Sequence, residues 1–237
     1  MIHIQVPSDK RLVWYLAMEE YIGHTIRHYP EGVFFTWVVD PTVVFGRHQV
    51  MEQEVNMAFC HANNIQAYRR KSGGGCVYAD RGNLMLSQIV PNTHAEQVFQ
   101  QYLDKVAALL RELGLPAVKS EHNDILVDGH KVSGNACYTL RECTIVHGTM
   151  LYDVDFDMLQ AAISPTRQKL EKHGVQSVRQ RVCNLRPMLA QTHDIGELAD
   201  HLINRLCTKS ICLTKADSEA IDTIEQTYLN PEFIHSK

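Results

Sequence analysis

The chain has 237 residues, 45% of them hydrophobic and 21% charged, with a net charge of −4 and a pI of about 6.3. This is a soluble globular composition. It carries no basic excess for phosphate-driven nucleic-acid binding, no apolar run of membrane-span length, and a charged N-terminus (Asp9, Lys10, Arg11, Glu19, Glu20) unlike a secretory signal.

In chain order, residues 12–25 read as a helix with Val13, Leu16, Ala17 and Tyr21 on one face. Residues 33–39 and 42–46 are β-rich and flank Asp40-Pro41, a hairpin signal. A short helix is expected over 53–62, stopping near Asn63-Asn64. Next comes RRKSGGGCVYADRGN, Arg69 to Asn83, with three consecutive glycines after a basic triplet. Neither GxxxxGK[ST] nor GxGxxG spacing is met. A tight loop or bulge is one reading of Gly73, Gly74 and Gly75. A backbone nest that takes an anion while a slender ligand lies against the main chain is the other.

Residues 84–90 form a strand that Pro91 ends. Residues 94–113 are the clearest helix, with Thr93 and Glu96 expected as a capping box and an apolar stripe from Val98 to Leu113. HNDILVDGHKVSGNACY follows, His122 to Tyr138, with a turn at Asp128-Gly129. A two-residue turn pairs Lys131 with Leu126 and puts Asp124, Leu126 and Lys131 on one face. This is either a surface ion pair or a site where a carboxylate and an ammonium handle nucleotide chemistry. Residues 144–152 read as a strand; 155–162, 194–207 and 218–229 read as helices. Between them lies the basic stretch SPTRQKLEKHGVQSVRQRVCNL, Ser164 to Leu185, a solvated connector or a polyphosphate flap. Strand groups alternating with inserted helices predict an α+β fold: one mixed, largely antiparallel β-sheet flanked by helices, in a single domain with a single core. The seven cysteines, odd in number and without a CxxC pair, read as reduced thiols of a cytoplasmic protein.

The three quoted segments, in this order, resemble the lipoate-protein ligase family of the biotinyl/lipoyl transferase superfamily. The first resembles its lipoate-binding loop, RRxSGGGxVxxDxGN. The second resembles NDxxxxxxKxSGxA, followed by His147-Gly148-Thr149, and the third its adenylate-binding loop, SVRxRVxNL. Trp37 and the turn Gly46-Arg47-His48-Gln49 also fall where the family has a tryptophan strand and a GRxQ turn. The resemblance spans about residues 10 to 230. It implies a biotinyl/lipoyl-transferase-like catalytic domain that activates lipoic acid with ATP and Mg²⁺ to lipoyl-AMP. The lipoyl group then passes to a lysine of an acceptor domain, in E2 subunits of 2-oxoacid dehydrogenases or glycine-cleavage H protein. By the same resemblance Lys131 is the catalytic cation. Asp124 organises Mg²⁺ or the acceptor amine, and Arg70 meets the phosphates or the carboxylate. Ser72 and Asn83 pin the loop, and Trp37 walls the acyl tunnel. Gly73, Gly74, Gly75, Val77, Asn123, Ser133, Gly134, Ala136, His147, Gly148, Thr149 and Arg179 complete the lipoate- and adenylate-binding set.

Two departures stand out. Ala79 replaces a histidine that many members carry before Asp80. Residues 1–237 are expected to form the catalytic domain alone, without the C-terminal accessory domain of long ligases, so a separate accessory-domain protein is an expected partner. Alternative readings are an octanoyl or lipoyl transferase working from a pre-activated or protein-bound acyl donor, and a non-catalytic lipoate-binding module. The transferases use a cysteine, but Cys76, Cys137 and Cys143 sit in no matching context and read as packing residues.

Overall fold

The computed structural model of the chain describes residues 1–163, 181–189 and 194–236. The strands are β1 (Ile2–Gln5), β2 (Val33–Trp37), β3 (Thr42–Phe45), β4 (Gln66–Arg69), β5 (Val77–Ala79), β6 (Asn83–Val90), β7 (Ala117–Lys119), β8 (Asp124–Val127), β9 (His130–Leu140), β10 (Cys143–Leu151) and β11 (Lys209–Cys212). The helices are α1 (Leu12–His24), α2 (Met51–Glu54), α3 (Met57–Ala62), α4 (Ala95–Glu112), α5 (Phe156–Ala162), α6 (Ile195–Leu206), α7 (Lys215–Leu229) and α8 (Pro231–Ile234).

The large sheet has the order β11-β1-β2-β6-β10-β9-β8-β7. β11, β1 and β2 run parallel to one another, and the remaining neighbours are antiparallel. The expected mixed, largely antiparallel sheet is therefore present. A second sheet, β4-β3-β5, carries the glycine segment between its strands. Buried side chains form three clusters rather than the single core expected. One packs α1 and α7 on the large sheet, one packs α4 and α6 on it, and the third lies around the small sheet.

Three local expectations are corrected. β2 and β3 are not a hairpin: β2 pairs with β1 and β6, while β3 pairs with β4 and β5. Both runs are buried along their whole length, and continuous apolar runs suit strands that need neighbours on either side. Asp40-Pro41 is thus a corner between sheets. Thr93 and Glu96 form no capping box: the helix starts after His94 without a side-chain cap, and Glu96 instead accepts from Gln100 at 3.0 Å. Helix 53–62 is two pieces broken at Val55-Asn56, where Asn56 caps the second. The Asp128-Gly129 turn has the expected register, Leu126 opposite Lys131, with both turn residues at positive φ (49° and 80°).

α1 is buried on nearly every side, beyond the single stripe read from sequence. It lies between the sheet and α7, where Ile221 is fully buried. Among the described residues no helix is long and apolar enough to cross a membrane. Ile221→Ala leaves a cavity under α1 and should lower stability by about 2–5 kcal/mol in denaturant unfolding. An unchanged midpoint would mean that α7 contributes nothing to holding α1.

Candidate active site

Arg69 and Arg70 end β4 and diverge. Arg69 binds carbonyls of Arg47 (2.6 Å) and Gln49 (2.8 Å) on one side and of Ile234 and Ser236 on the other. Arg70 turns onto the glycine loop. Its Nε donates to Ser72 Oγ (3.0 Å) and Gly73 O (3.2 Å), Nη1 to Val44 O (3.2 Å), and Nη2 to Gly73 O and Gly75 O (2.7 Å each). The guanidinium is thus hydrogen-bonded to protein acceptors, and Arg70 also lines a cavity in front of the loop. Burial pushes its pKa down to about 10.

With its carbonyls drawn inward, the loop has its amides left over. Among the described residues, the N–H groups of Gly73, Gly74 and Gly75 meet no protein acceptor. Gly74 sits at φ +90°, which only glycine adopts readily. Gly46 of the GRxQ turn lies so close that a Cβ there would stand 2.3 Å from Gly74 O. Gly73 and Gly75 are different: a Cβ on either would meet nothing within 4 Å. The protein itself does not require their bareness, so at Gly75, which faces a cavity, the missing side chain is space for a ligand.

That cavity is about 120 Å³ and is lined by Leu12, Leu16, Trp37, Met85, the loop and the β9–β10 strands. Trp37 stacks on Tyr15 (centroids 4.6 Å, 16°) and donates Nε1–H to Ser87 Oγ at 2.9 Å. Ser87 Oγ donates to Glu19 Oε1 at 2.6 Å. Glu19 Oε2 lies 2.8 Å from His147 Nδ1, and His147 Nε2 lies 2.7 Å from Ser72 Oγ. A buried polar chain thus runs from the cavity wall to the guanidinium behind the loop.

A larger cavity, about 730 Å³, adjoins the first. Asp124, Lys131, Gly134, Thr149, Cys76 and Val77 line both. Lys131 Nζ is 2.8 Å from Asp124 Oδ1, each side chain about one-third exposed (36% and 31%). Their meeting depends on two backbone features. A bulge between Ile125 and Leu126 shifts the register so that Asp124 faces Gly134. Gly134 then leaves room for the lysine, since a Cβ there would sit 2.6 Å from Lys131 Nζ. Thr149 Oγ1 accepts from Gly134 N at 3.1 Å and fixes this point.

Of the residues singled out in the sequence, Trp37, Arg70, Gly74, Gly75, Val77, Asn123, Asp124, Lys131, Gly134, Ala136, His147, Gly148 and Thr149 line the smaller cavity. Ser72, Gly73, Asn83 and Ser133 do not. Ser72, Asn83 and Ser133 are fully buried supports: Asn83 Nδ2 donates to Tyr78 O (3.3 Å), and Ser133 Oγ bonds Asn135 Oδ1 (3.3 Å). Arg179 lies outside the described residues, as do Ser164 and Ser177. The end of that third segment is described: Cys183 N donates to Lys131 O at 3.0 Å, and Arg181 lines the larger cavity. Glu19, Ser87 and Asn135 were missed. Glu19 did carry a signal, an acid seven residues after Leu12 and three after Leu16 on the buried helix face.

The lipoyl protein ligase A/B catalytic domain model matches residues 13–207. The chain belongs to this family. It is 34% identical over 194 residues to the lipoate-protein ligase LplJ of Bacillus subtilis, covering 81% of this chain. The chain spans only 58% of that relative's length. It shares its fold with a bi-partite lipoate protein ligase of Thermoplasma acidophilum, described with its E2 lipoyl domain (TM-score 0.85, 24% identity, 99% of this chain and 95% of that one). A lipoate-protein ligase A bound with ATP is equally similar in fold (TM-score 0.85, 24% identity, 99% and 97% covered).

Two glycine substitutions separate backbone need from ligand space. Gly75→Ala should fold with stability within about 1 kcal/mol of wild type yet weaken lipoate binding. Gly74→Ala should lose about 1 kcal/mol or more, because of its positive φ. Thermal melts paired with calorimetric titration check both; unchanged lipoate affinity in Gly75→Ala would remove the loop from the acyl slot.

Proposed function

We propose that the chain activates lipoic acid with ATP to lipoyl-AMP and transfers the lipoyl group to a lysine of an acceptor domain. The observation that carries this reading is the Lys131–Asp124 pair at the junction of a slender apolar-walled cavity and a roomier one. An acyl chain suits the first and a nucleotide the second, and the bond to be made lies where they meet. The ATP held by one structural neighbour and the lipoate-protein ligase relatives support the substrates.

In the first step a lipoate carboxylate oxygen attacks the α-phosphorus, and the α–β P–O bond breaks as pyrophosphate leaves. Lys131 stands where charge gathers on the carboxylate and α-phosphate oxygens, and the loop N–H groups supply further donors. In the second step the acceptor amine attacks the acyl carbon, the mixed-anhydride C–O bond breaks, and AMP departs while the amine loses a proton. Lys131 again faces the phosphate that leaves, and Asp124 faces the incoming amine. Among the described residues no three His, Cys, Asp or Glu side chains gather for a metal. Asp124, a carboxylate lining both cavities, is the residue that would hold a Mg²⁺ ion, which would supply charge neutralisation for pyrophosphate departure.

We further propose E2 subunits or H protein as acceptors and a separate accessory-domain chain as helper for adenylation. The T. acidophilum ligase supports both, being bi-partite and described with an E2 lipoyl domain. The second reading, acyl transfer through a cysteine, has one observation in its favour: Cys76 lines both cavities. Cys143 is fully buried, its pKa pushed up to about 11 by desolvation, and Cys137 is also raised by burial.

Mass spectrometry of an acceptor domain incubated with the chain, lipoate, Mg²⁺ and ATP should show lipoylation, or show it only with synthetic lipoyl-AMP if adenylation needs the helper. Modification from octanoyl carrier protein alone, lost in Cys76→Ser, favours the transferase; binding without transfer leaves a lipoate-binding module. Lys131→Ala should cut transfer by at least about 10²–10³-fold. Its fold should survive, since a partly exposed pair contributes about 1 kcal/mol or less. Retained turnover would remove Lys131 from the chemistry.

A further inference from the structure

The buried chain behind the acyl cavity is bounded at both ends by side chains that can only donate. Trp37 offers an indole N–H and Arg70 a guanidinium N–H; neither accepts. Between them stand Ser87, His147 and Ser72, each of which can accept one hydrogen bond and donate another. With every hydroxyl proton spent within the chain, one member must accept from both directions. Glu19 is that member, with Ser87 Oγ at 2.6 Å on one oxygen and His147 Nδ1 at 2.8 Å on the other. It is fully buried, and Ser72 and Ser87 are buried with it.

We propose that Glu19 is a positioning residue for the glycine loop. Arg70 Nε donates to Ser72 Oγ, and in this proposal the Ser72 hydroxyl donates to His147 Nε2, its one acceptor in the buried chain. His147 then carries its proton on Nδ1, where Glu19 accepts it. His147 is thus assigned the Nδ1–H tautomer. Ser72 stays turned to receive Arg70, which in turn holds Gly73 O and Gly75 O. A carboxamide at position 19 has one acceptor atom and one donor atom, so one arm of the chain would meet donor against donor and orphan a buried hydroxyl.

Ser72, His147 and Glu19 also have the spacing of a nucleophile, base and orienting acid. Ser72 is buried and lines neither cavity, and its oxygen is already taken by Arg70. The geometry therefore assigns the three a holding role.

The inference rests on the ligase reading only through its lipoate-binding measurement. Long-range ¹H–¹⁵N NMR of the full chain, with His147 assigned from its loss in His147→Gln, reads the tautomer directly. A proton on Nδ1 in the wild type is expected; one on Nε2 overturns the proposal whatever the chain binds. Calorimetric lipoate affinity then tests transmission in a double-mutant cycle. Glu19→Gln should weaken binding about fivefold or more alone, but less than about twofold in a Ser72→Ala background, where the link is already cut. Equal losses in both backgrounds overturn it. Should Glu19→Gln not fold, the wild-type tautomer decides alone. A chain that shows the Nδ1 tautomer but binds no lipoate would contradict the ligase reading and leave this network standing.

Discussion

A buried guanidinium spent on main-chain carbonyls is the constraint from which the site follows. Arg70 is held away from water, and its direct contacts are carbonyl oxygens and one hydroxyl, with no carboxylate among them. Burying such a charge is costly, and the depressed pKa expresses that cost. What the protein gains is a loop with Gly73 O and Gly75 O held by one guanidinium, while the N–H groups of its three glycines meet no acceptor among the described residues. Positive charge and unpaired N–H groups in one loop are the composition of an anion nest, the role proposed for it above.

The rest of the molecule holds that loop in register with the Lys131–Asp124 pair. α1 brings Glu19 under the sheet and lines the smaller cavity with Leu12 and Leu16. β10 carries His147 on the cavity wall and Thr149 against Gly134. The β8–β9 hairpin, through its bulge and Gly134, sets Lys131 on Asp124 at the point shared by both cavities. Loop and lysine therefore sit on different sheets, tied together by buried polar contacts through His147.

Local features were legible in the sequence where one short stretch decided them. The Asp128-Gly129 turn fixes Leu126 opposite Lys131, so a shared face for Asp124 and Lys131 was readable, whereas the bulge that sets Asp124 opposite Gly134 was not. The long apolar stripe of α4 and the sheet type were readable for the same reason. Features set by distant pairing were not. β1 joins β11 across some two hundred residues, and both are only four residues long. β2 and β3 look like a hairpin until each is seen to need its own neighbours. The site divides the same way. The glycine loop and Lys131 stood out by composition, whereas Glu19 looked like one of two ordinary acids in a helix. Only its burial beside His147 reveals what it does. Arg70 was found, but its bonds to the loop carbonyls were not foreseen, because nothing in a dipeptide Arg-Arg tells which guanidinium turns onto the loop.

The most direct test is a crystal structure of the chain with a non-hydrolysable lipoyl-adenylate. The account predicts the acyl chain along Gly74, Gly75 and Trp37, the phosphate within hydrogen-bond reach of Lys131 Nζ, and Arg70 still on the loop carbonyls. An adenylate bound away from the glycines, or Arg70 swung out to grip the phosphate itself, would contradict it.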